Sequence, residues 1–514
     1  MLNKTYCSAV HGIEASTITV EVIVSTGLHY YIVGLPDNAV KESLRRVESA
    51  ITSCQLHMPR QKIVVNLAPA DIRKEGSSYD LSIAVGILAS SGQLRNELLE
   101  QYLILGELSL DGSIKPIRGI LPIALQARKE GFKGIILPQE NASEAAIVTE
   151  IEAIAVTNLT EVVQFLNNSK KIDPTKIDIQ SVFQTGVNKY EVDFSDVHGQ
   201  ENIKRALEIA AAGGHNVILI GPPGAGKTML AKRLPTILPP LNMDESLETT
   251  KIHSVSGNLK AKDTLLTTRP FRAPHHTISD VAMVGGGSSP QPGEISLAHH
   301  GVLFLDELPE FKRSVLEVMR QPLESRSITI SRAKLSIDYP ASFMLIAAMN
   351  PCPCGYFNHP EKECICSTTT VQRYLSKISG PLLDRIDLHV EVTPVQFDAL
   401  SSSRSAENSD SVRNRVIQTR MIQKQRFEHY PEIHCNAQMS TKLTRDICHI
   451  DNSGIKLLKT ALDRLSLSAR AYDRILKVAR TIADMEGSTI IENHHLAEAI
   501  QYRNLDRETW GGKF

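Results

Sequence analysis

Val217-Ile218-Leu219-Ile220-Gly221-Pro222-Pro223-Gly224-Ala225-Gly226-Lys227-Thr228 is an apolar run, a glycine-rich turn and a Lys-Thr pair. The run is short and continuously apolar, which predicts a buried parallel strand. Gly221, Gly224 and Gly226 let the backbone bend so that its N–H groups converge on one point. That point falls at the start of a helix, where free N–H groups and the helix dipole attract anions. Lys227 can reach terminal phosphates, and Thr228 can offer a hydroxyl to magnesium. The spacing is the P-loop pattern, so Gly221 to Thr228 are expected to hold ATP, with Mg2+ on Thr228.

A second signature stands downstream in Gly301-Val302-Leu303-Phe304-Leu305-Asp306-Glu307. An apolar strand ends in two carboxylates, and ligands of a parallel sheet gather at the carboxyl ends of its strands. Asp306 is expected in the magnesium shell and Glu307 to polarise the attacking water. Phe343 to Asn350 is a further apolar strand, whose terminal Asn350 is placed to orient that water. Between these signatures, His275-His276 and His299-His300 suggest a metal. Adjacent side chains diverge, however, and no Cys or acidic spacing completes a ligand set. Cys352-Pro353-Cys354 and Cys364-Ile365-Cys366 do offer four thiolates, and a structural zinc site is expected there.

The length, 514 residues, suggests about three domains. Hydrophobic residues at 42% and charged residues at 22% fit a globular chain. The net charge of -1 means that any nucleic-acid surface must be local. Eight cysteines in so long a chain do not make a disulfide framework. Met1-Leu2-Asn3-Lys4 leads into no apolar core, and no apolar run is long enough for a bilayer, so a cytoplasmic protein is expected.

Residues 1–167 alternate strand and helix signals. Ile18 to Val24 and Lys62 to Leu67 read as strands. Asp37 caps a helix carrying Val40, Leu44, Val47 and Ile51. Tyr79 to Ser90 reads as an apolar helix, and Leu103–Leu108 and Ile114–Ile117 as a hairpin about Asp111-Gly112-Ser113. With Gly27-Leu28, Ile32 to Asp37, Lys74 to Leu81, Gly106-Glu107-Leu108 and Gly131 to Pro138, this half resembles the proteolytic domain of Lon-type proteases. The resemblance puts Ser78 at the nucleophile of a Ser-Lys dyad and Leu121 where the lysine belongs. A serine hydroxyl without a base is a weak nucleophile, so a proteolytically silent domain is expected.

Residues 168–192 have linker composition. Gly221–Thr228, the words Arg269 to Thr277 and Pro292 to His300, and Gly301 to Leu308 are similar to the ATPase module of the Mg-chelatase-like AAA+ proteins, the ComM or YifB family. The implied class is α/β: a Lon-protease-like α+β N-terminal domain, a P-loop AAA+ parallel-sheet core over 193–394, and a C-terminal helical lid over 395–514. The resemblance further implies that Arg385, in Ser379 to Asp387, acts as an arginine finger on the neighbouring subunit's nucleotide. Arg470, in Leu467 to Tyr472, becomes the sensor reaching nucleotide from the lid. The hairpin Ser327 to Ile337 becomes a pore hairpin with Arg332 and Lys334 on DNA phosphates. Val412 to Phe427 carries five basic residues and no acid, and reads as a basic helix. The family implies a homohexameric motor on DNA, promoting branch migration or unwinding in transformation. Protein remodelling and magnesium insertion into a porphyrin are the alternatives. For the last, Asp451-Asn452-Ser453 is the nearest segment to an integrin-type metal motif.

Overall fold

The computed structural model describes residues 2–95, 97–186, 190–259, 264–287, 290–332, 335–357, 359, 361–394, 407–465 and 468–503, the side chains of 332 and 335 excepted. They form two units, one of residues up to Gly186 with Met243–Leu266, the other of Val187–Asn242 with Thr267 onward.

The first unit is built on a seven-stranded mixed sheet. Its strand order is Tyr30–Val33, Lys62–Ala68, Glu14–Ser25, Leu2–His11, Tyr102–Ile104, Gly134–Pro138 and Glu152–Val156. Leu2–His11 and Glu14–Ser25 make a long hairpin in continuous register. Ile18, Val20 and Val22 alternate into the core, as period-two patterning requires. Helix Asn38–Ser53 starts where Asp37 accepts a 2.8 Å bond from the Val40 N–H. It buries Val40, Val47 and Ile51, while Leu44 stays half-buried. The expected hairpin forms from Glu107–Leu108 and Ile114–Lys115 alone, because Tyr102–Ile104 belongs to the main sheet.

Two stretches differ from the sequence expectation. Ile179–Gly186, inside the expected linker, is a helix of the first unit. Met243–Ser256, inside the expected AAA+ core, is a helix that packs in the first unit. There the Ser254 carbonyl accepts from the Gly119 N–H at 3.3 Å. It buries Ser246, Thr249, Thr250 and Ser254 together with Ile252, His253 and Val255. The hydroxyls of Thr249 and Thr250 bond back to their own helix, at 2.7 and 2.6 Å. A face of small hydroxyl residues leaves no apolar stripe for pattern reading to find.

The second unit carries a five-stranded parallel sheet, in the order Phe271–Arg272, Val302–Leu305, Met344–Met349, Val217–Ile220, Leu388–Glu391. The three strands read from sequence are adjacent at its centre and buried throughout. Helix Glu201–Gly213 ends on Gly214, and Lys227–Ile237 follows the P-loop turn. Residues Ser327–Arg332 and Leu335–Pro340 pair as a separate two-stranded ribbon.

The described residues of the stretch expected as a lid contain five α-helices in the same unit. The first of them, Ser409–Arg426, lies on the helices flanking the P-loop strand and belongs to the core layer. Its arginines are tied to the protein. Arg413 donates to the Thr236 carbonyl, Arg415 meets Glu208 and Glu407, Arg420 donates to the Ala211 carbonyl, and Arg426 pairs with Asp484. The basic helix is therefore not a free phosphate-binding surface. Its arginines satisfy helix carbonyls and carboxylates, two of which, Glu208 and Asp484, are buried. Among the described residues no helix is long and apolar enough to cross a membrane.

Candidate functional site

The P-loop strand delivers its turn to the carboxyl edge of the parallel sheet. Gly221 takes over the ladder, its N–H donating to the Met349 carbonyl at 3.2 Å. Gly224 and Gly226 stand at φ +78° and +85°, a conformation that L side chains rarely adopt, and Gly226 opens the helix. A Cβ on Gly224 would meet nothing within 4 Å, so the turn faces open space. The Ala225 carbonyl accepts from Gln200 Nε2 at 3.0 Å, pinning the turn from behind. Such a cradle at a helix N-terminus is built for an anion.

Lys227, Thr228, Asp306 and Asn350 come together as the sequence predicts. Lys227 Nζ donates to the carbonyls of Gly221 and Pro222 at 2.7 and 2.9 Å, and to Asn350 Oδ1 at 3.0 Å. Burial pushes its pKa down, while Asp306 and Glu307 pull it up. Thr228 Oγ1 donates to Asp306 Oδ2 at 2.6 Å. A hydroxyl and a carboxylate converging at one point are hard oxygen donors suited to Mg2+. Asp306 Oδ1 accepts from the Glu307 N–H at 3.0 Å, and Glu307 sits at φ +53°. Positive φ in a non-glycine residue at a strand end marks a constrained functional turn.

His276 joins the site through a contact with Glu307 that the sequence did not give. Its Nδ1 lies 3.3 Å from Glu307 Oε2. Its ring stacks 4.1 Å from that of His275 and meets Phe311 edge-on. His276 thus faces the Glu307 carboxylate, while His275 Nδ1 meets Thr277 Oγ1 at 2.9 Å. The only signal in sequence was their presence between the two nucleotide signatures.

Arg385 lies on a different surface. It is 7% exposed, with its guanidinium on Glu324 Oε1 at 2.5 Å and on the Pro381 carbonyl at 2.5 Å. Glu317, Arg320, Gln321 and Ser325 line the same groove. Arg470, in the first turn of helix Ala469–Met485, lies 3.7 Å from Asp384. Asp387 binds this segment to the sheet. It accepts from the Asn216 N–H at 3.1 Å and from Arg474 at 2.8 Å, and faces His215 at 3.3 Å. Burial would raise the Asp387 carboxyl, but Arg474 and His215 hold it well below the usual range. Asn216 immediately precedes the P-loop strand, so one buried carboxylate joins the P-loop strand, the Arg385 segment and the helix of Arg470.

The four thiols of Cys352, Cys354, Cys364 and Cys366 cluster within 4.8 Å of one another. Lys334 lies outside the described residues, as does the side chain of Arg332. In the first unit Ser78 stands just before helix Asp80–Ser90. Among the described residues no hydrogen bond joins its hydroxyl to a lysine or histidine. Leu121 is fully buried in the core. Asp451 is the cap of helix Asn452–Arg464, accepting from the Gly454 N–H at 2.6 Å.

The family descriptions that match are "Magnesium chelatase, subunit ChlI" over 193–400, "Subunit ChlI of Mg-chelatase" over 20–141 and "Magnesium chelatase, subunit ChlI C-terminal" over 406–503. The chain is 44% identical over 507 residues to the competence protein ComM of Haemophilus influenzae, covering 98% of this chain and 97% of that one. It is 45% identical over 499 residues to the uncharacterised protein YifB of Salmonella typhimurium, covering 96% of each. Likeness to the magnesium-chelatase subunit ChlI of a Nostoc species falls to 23% over 300 residues, 51% of this chain and 73% of that one. A phosphate cradle, a hydroxyl–carboxylate pair for magnesium and likeness along nearly the whole chain converge: the chain belongs to the ComM/YifB family of Mg-chelatase-like AAA+ ATPases.

Proposed function

We propose that this chain is the subunit of a cytoplasmic, ring-forming ATP-driven motor that acts on branched or single-stranded DNA. The observation carrying the DNA reading is the full-length likeness to a competence protein. The ring is supported by Arg385, whose side chain meets Glu324 and the Pro381 carbonyl and none of its own P-loop residues. A finger that does not serve its own site fits one completed by a second copy. Arg332 and Lys334 remain the proposed phosphate contacts of the hairpin.

The chemistry follows from the site. The backbone N–H groups of Gly224 to Thr228 and the Lys227 ammonium would hold the β- and γ-phosphates. Thr228 and Asp306 would hold the magnesium, which when bound neutralises developing phosphate charge. Glu307, swung from His276, would take a proton from the attacking water, and Asn350 would orient that water. Arg385 of a neighbouring copy would stabilise charge in the transition state, and Arg470 would close on the nucleotide. The four cysteines belong to the same reading as a structural zinc site. The silent Lon-like domain would serve as scaffold.

The test is ATPase activity with and without single-stranded DNA, joined to a forked-DNA unwinding assay. Stimulation and unwinding that vanish in Lys227→Ala are expected. No stimulation together with no salt-sensitive DNA binding would remove the DNA reading. In the same assay Arg385→Ala is expected to bind ATP and fail to hydrolyse it, and normal hydrolysis would remove the shared site. Metal insertion is the other reading that the family descriptions suggest; it needs partner subunits, one of which carries an integrin-type D-x-S-x-S motif, and Asp451-Asn452-Ser453-Gly454-Ile455 of this chain lacks the final serine.

A further inference from the structure

Pro351–Ser367 joins the Asn350 strand end to helix Thr368–Leu375, and its described residues contain no strand and no helix. Among those residues only Pro351, Cys352 and Gly355 are buried, and Ile365 is 88% exposed. A loop of this length with no core of its own needs another source of order. The thiols supply one. Cys352 Sγ lies 3.3 Å from Cys354 Sγ and 3.7 Å from Cys364 Sγ, and Cys354 lies 3.6 Å from Cys364. These spacings are too long for disulfides, whose sulfurs stand about 2.05 Å apart. They match the edge of a tetrahedron about a single ion with sulfurs at about 2.3 Å, an edge of roughly 3.8 Å. A multi-iron cluster would hold its cysteines further apart.

The knuckle lies against the nucleotide cradle. The Gly355 N–H closes the first turn onto the Cys352 carbonyl at 3.0 Å. Gly355 stands at φ +84°, and a Cβ there would come 2.5 Å from Pro223 Cδ. The turn therefore presses its backbone on the P-loop itself. At the other end, Asn350 is two residues before Cys352 and accepts from Lys227.

We propose that one zinc ion on Cys352, Cys354, Cys364 and Cys366 clamps the P-loop, through Gly355 on Pro223 and Asn350 on Lys227, so that zinc occupancy sets nucleotide affinity. The inference rests on the zinc reading above and assigns that ion a regulatory consequence. Losing the ion frees the knuckle, and the cradle loses the wall that pre-forms it for phosphate.

The experiment uses the full chain, purified without chelators from zinc-supplemented medium. Zinc and iron are counted by plasma mass spectrometry, and binding of a fluorescent ATP analogue is titrated on the same folded samples. About one zinc per chain is expected. Stripping with a mercurial and chelator, then exchange into magnesium buffer, is expected to weaken the analogue about tenfold, with recovery on adding Zn2+ alone. Gly355→Ala keeps all four thiols, so it is expected to keep its zinc and still bind the analogue about tenfold more weakly. Under about a third of an equivalent of metal, with no uptake of added Zn2+, overturns the zinc site itself. Full zinc with affinity within about twofold of the native chain after stripping overturns the clamp and leaves the zinc site standing. Should Gly355→Ala not fold, the stripped native chain decides alone.

Discussion

The second unit carries a nucleotide-binding motif whose residues meet partners, and the first carries only a resemblance to a catalytic family. In the second unit the residues around the P-loop meet partners in two groups. Lys227 reaches Asn350, Thr228 reaches Asp306, and Glu307 lies on Asp306 and His276. In the first unit the resemblance to Lon-type proteases would put Ser78 at the place of a nucleophile and Leu121 at the place of its base, and Leu121 is sealed in the core. The helix after Ser78 is instead anchored by a buried ion pair, Asp80 with Arg46 at 2.7 Å. A reactive residue type thus becomes a site only when the fold brings it a partner. Where the partner is replaced by a core residue, the same backbone becomes scaffold.

That contrast can be broken most sharply at Lys227. Lys227→Ala is expected to remove ATP turnover altogether, and turnover measurably above background would mean that the cradle is not the site. Next, Glu307→Gln should keep nucleotide binding and slow hydrolysis by about 10²–10⁴-fold, as expected for a lost general base. A fall in binding equal to the fall in rate would show a role in holding nucleotide instead. In the first unit, Leu121→Lys tests whether a base can be put back. A lysine there is buried without a partner, so a stability loss of about 3 kcal/mol or more is expected in denaturant melts, with no peptidase activity. Peptide cleavage by that variant would overturn the scaffold reading.

A smaller effect comes from acid. Burial lowers the His215 pKa from 6.5, so below that pH the unfolded chain takes up a proton that the folded chain resists. Asp387, held below 3.8, adds a share that is present above that pH and is lost as pH falls through it. Both signs make the second unit less stable towards acid. Its melting temperature is expected to drop by roughly 5 °C between about pH 7 and 5, and by less in His215→Asn. An unchanged melting temperature in the native chain would mean that the buried pair does not titrate as its surroundings dictate. The smallest effect is at Ser78. Ser78→Ala should leave ATPase, stability and peptidase readings unchanged, and any loss of peptide cleavage would make the first unit a second active site.

Much of the site was legible because its parts are local. A glycine turn between strand and helix and two carboxylates after an apolar run carry their chemistry in their spacing, and they appear where the sequence places them. The cysteine pairs are legible in the same way. Other features were not legible, for physical reasons. Strand Phe271–Arg272 is two residues long and is held by its neighbour Val302–Leu305 instead of by propensity. Helix Met243–Ser256 buries hydroxyls, so its membership of the first unit left no apolar stripe. The arginines of Ser409–Arg426 looked like a cationic face because several of their partners, Glu208, Asp484 and the Thr236 carbonyl, come from residues far away in sequence.

By itself, the sequence pointed to a phosphate cradle, a hydroxyl and a carboxylate suited to magnesium, a second carboxylate proposed to polarise water, and four thiols, since each is a short word whose residue types suggest the chemistry. Only the tertiary structure decided that His276 meets Glu307, that Asp387 ties Arg474 to the P-loop strand, and that the cysteine turn rests on Pro223. Those contacts join residues distant in the chain. Chain spacing says nothing about which of them will meet, because packing of the sheet and its helices makes that choice.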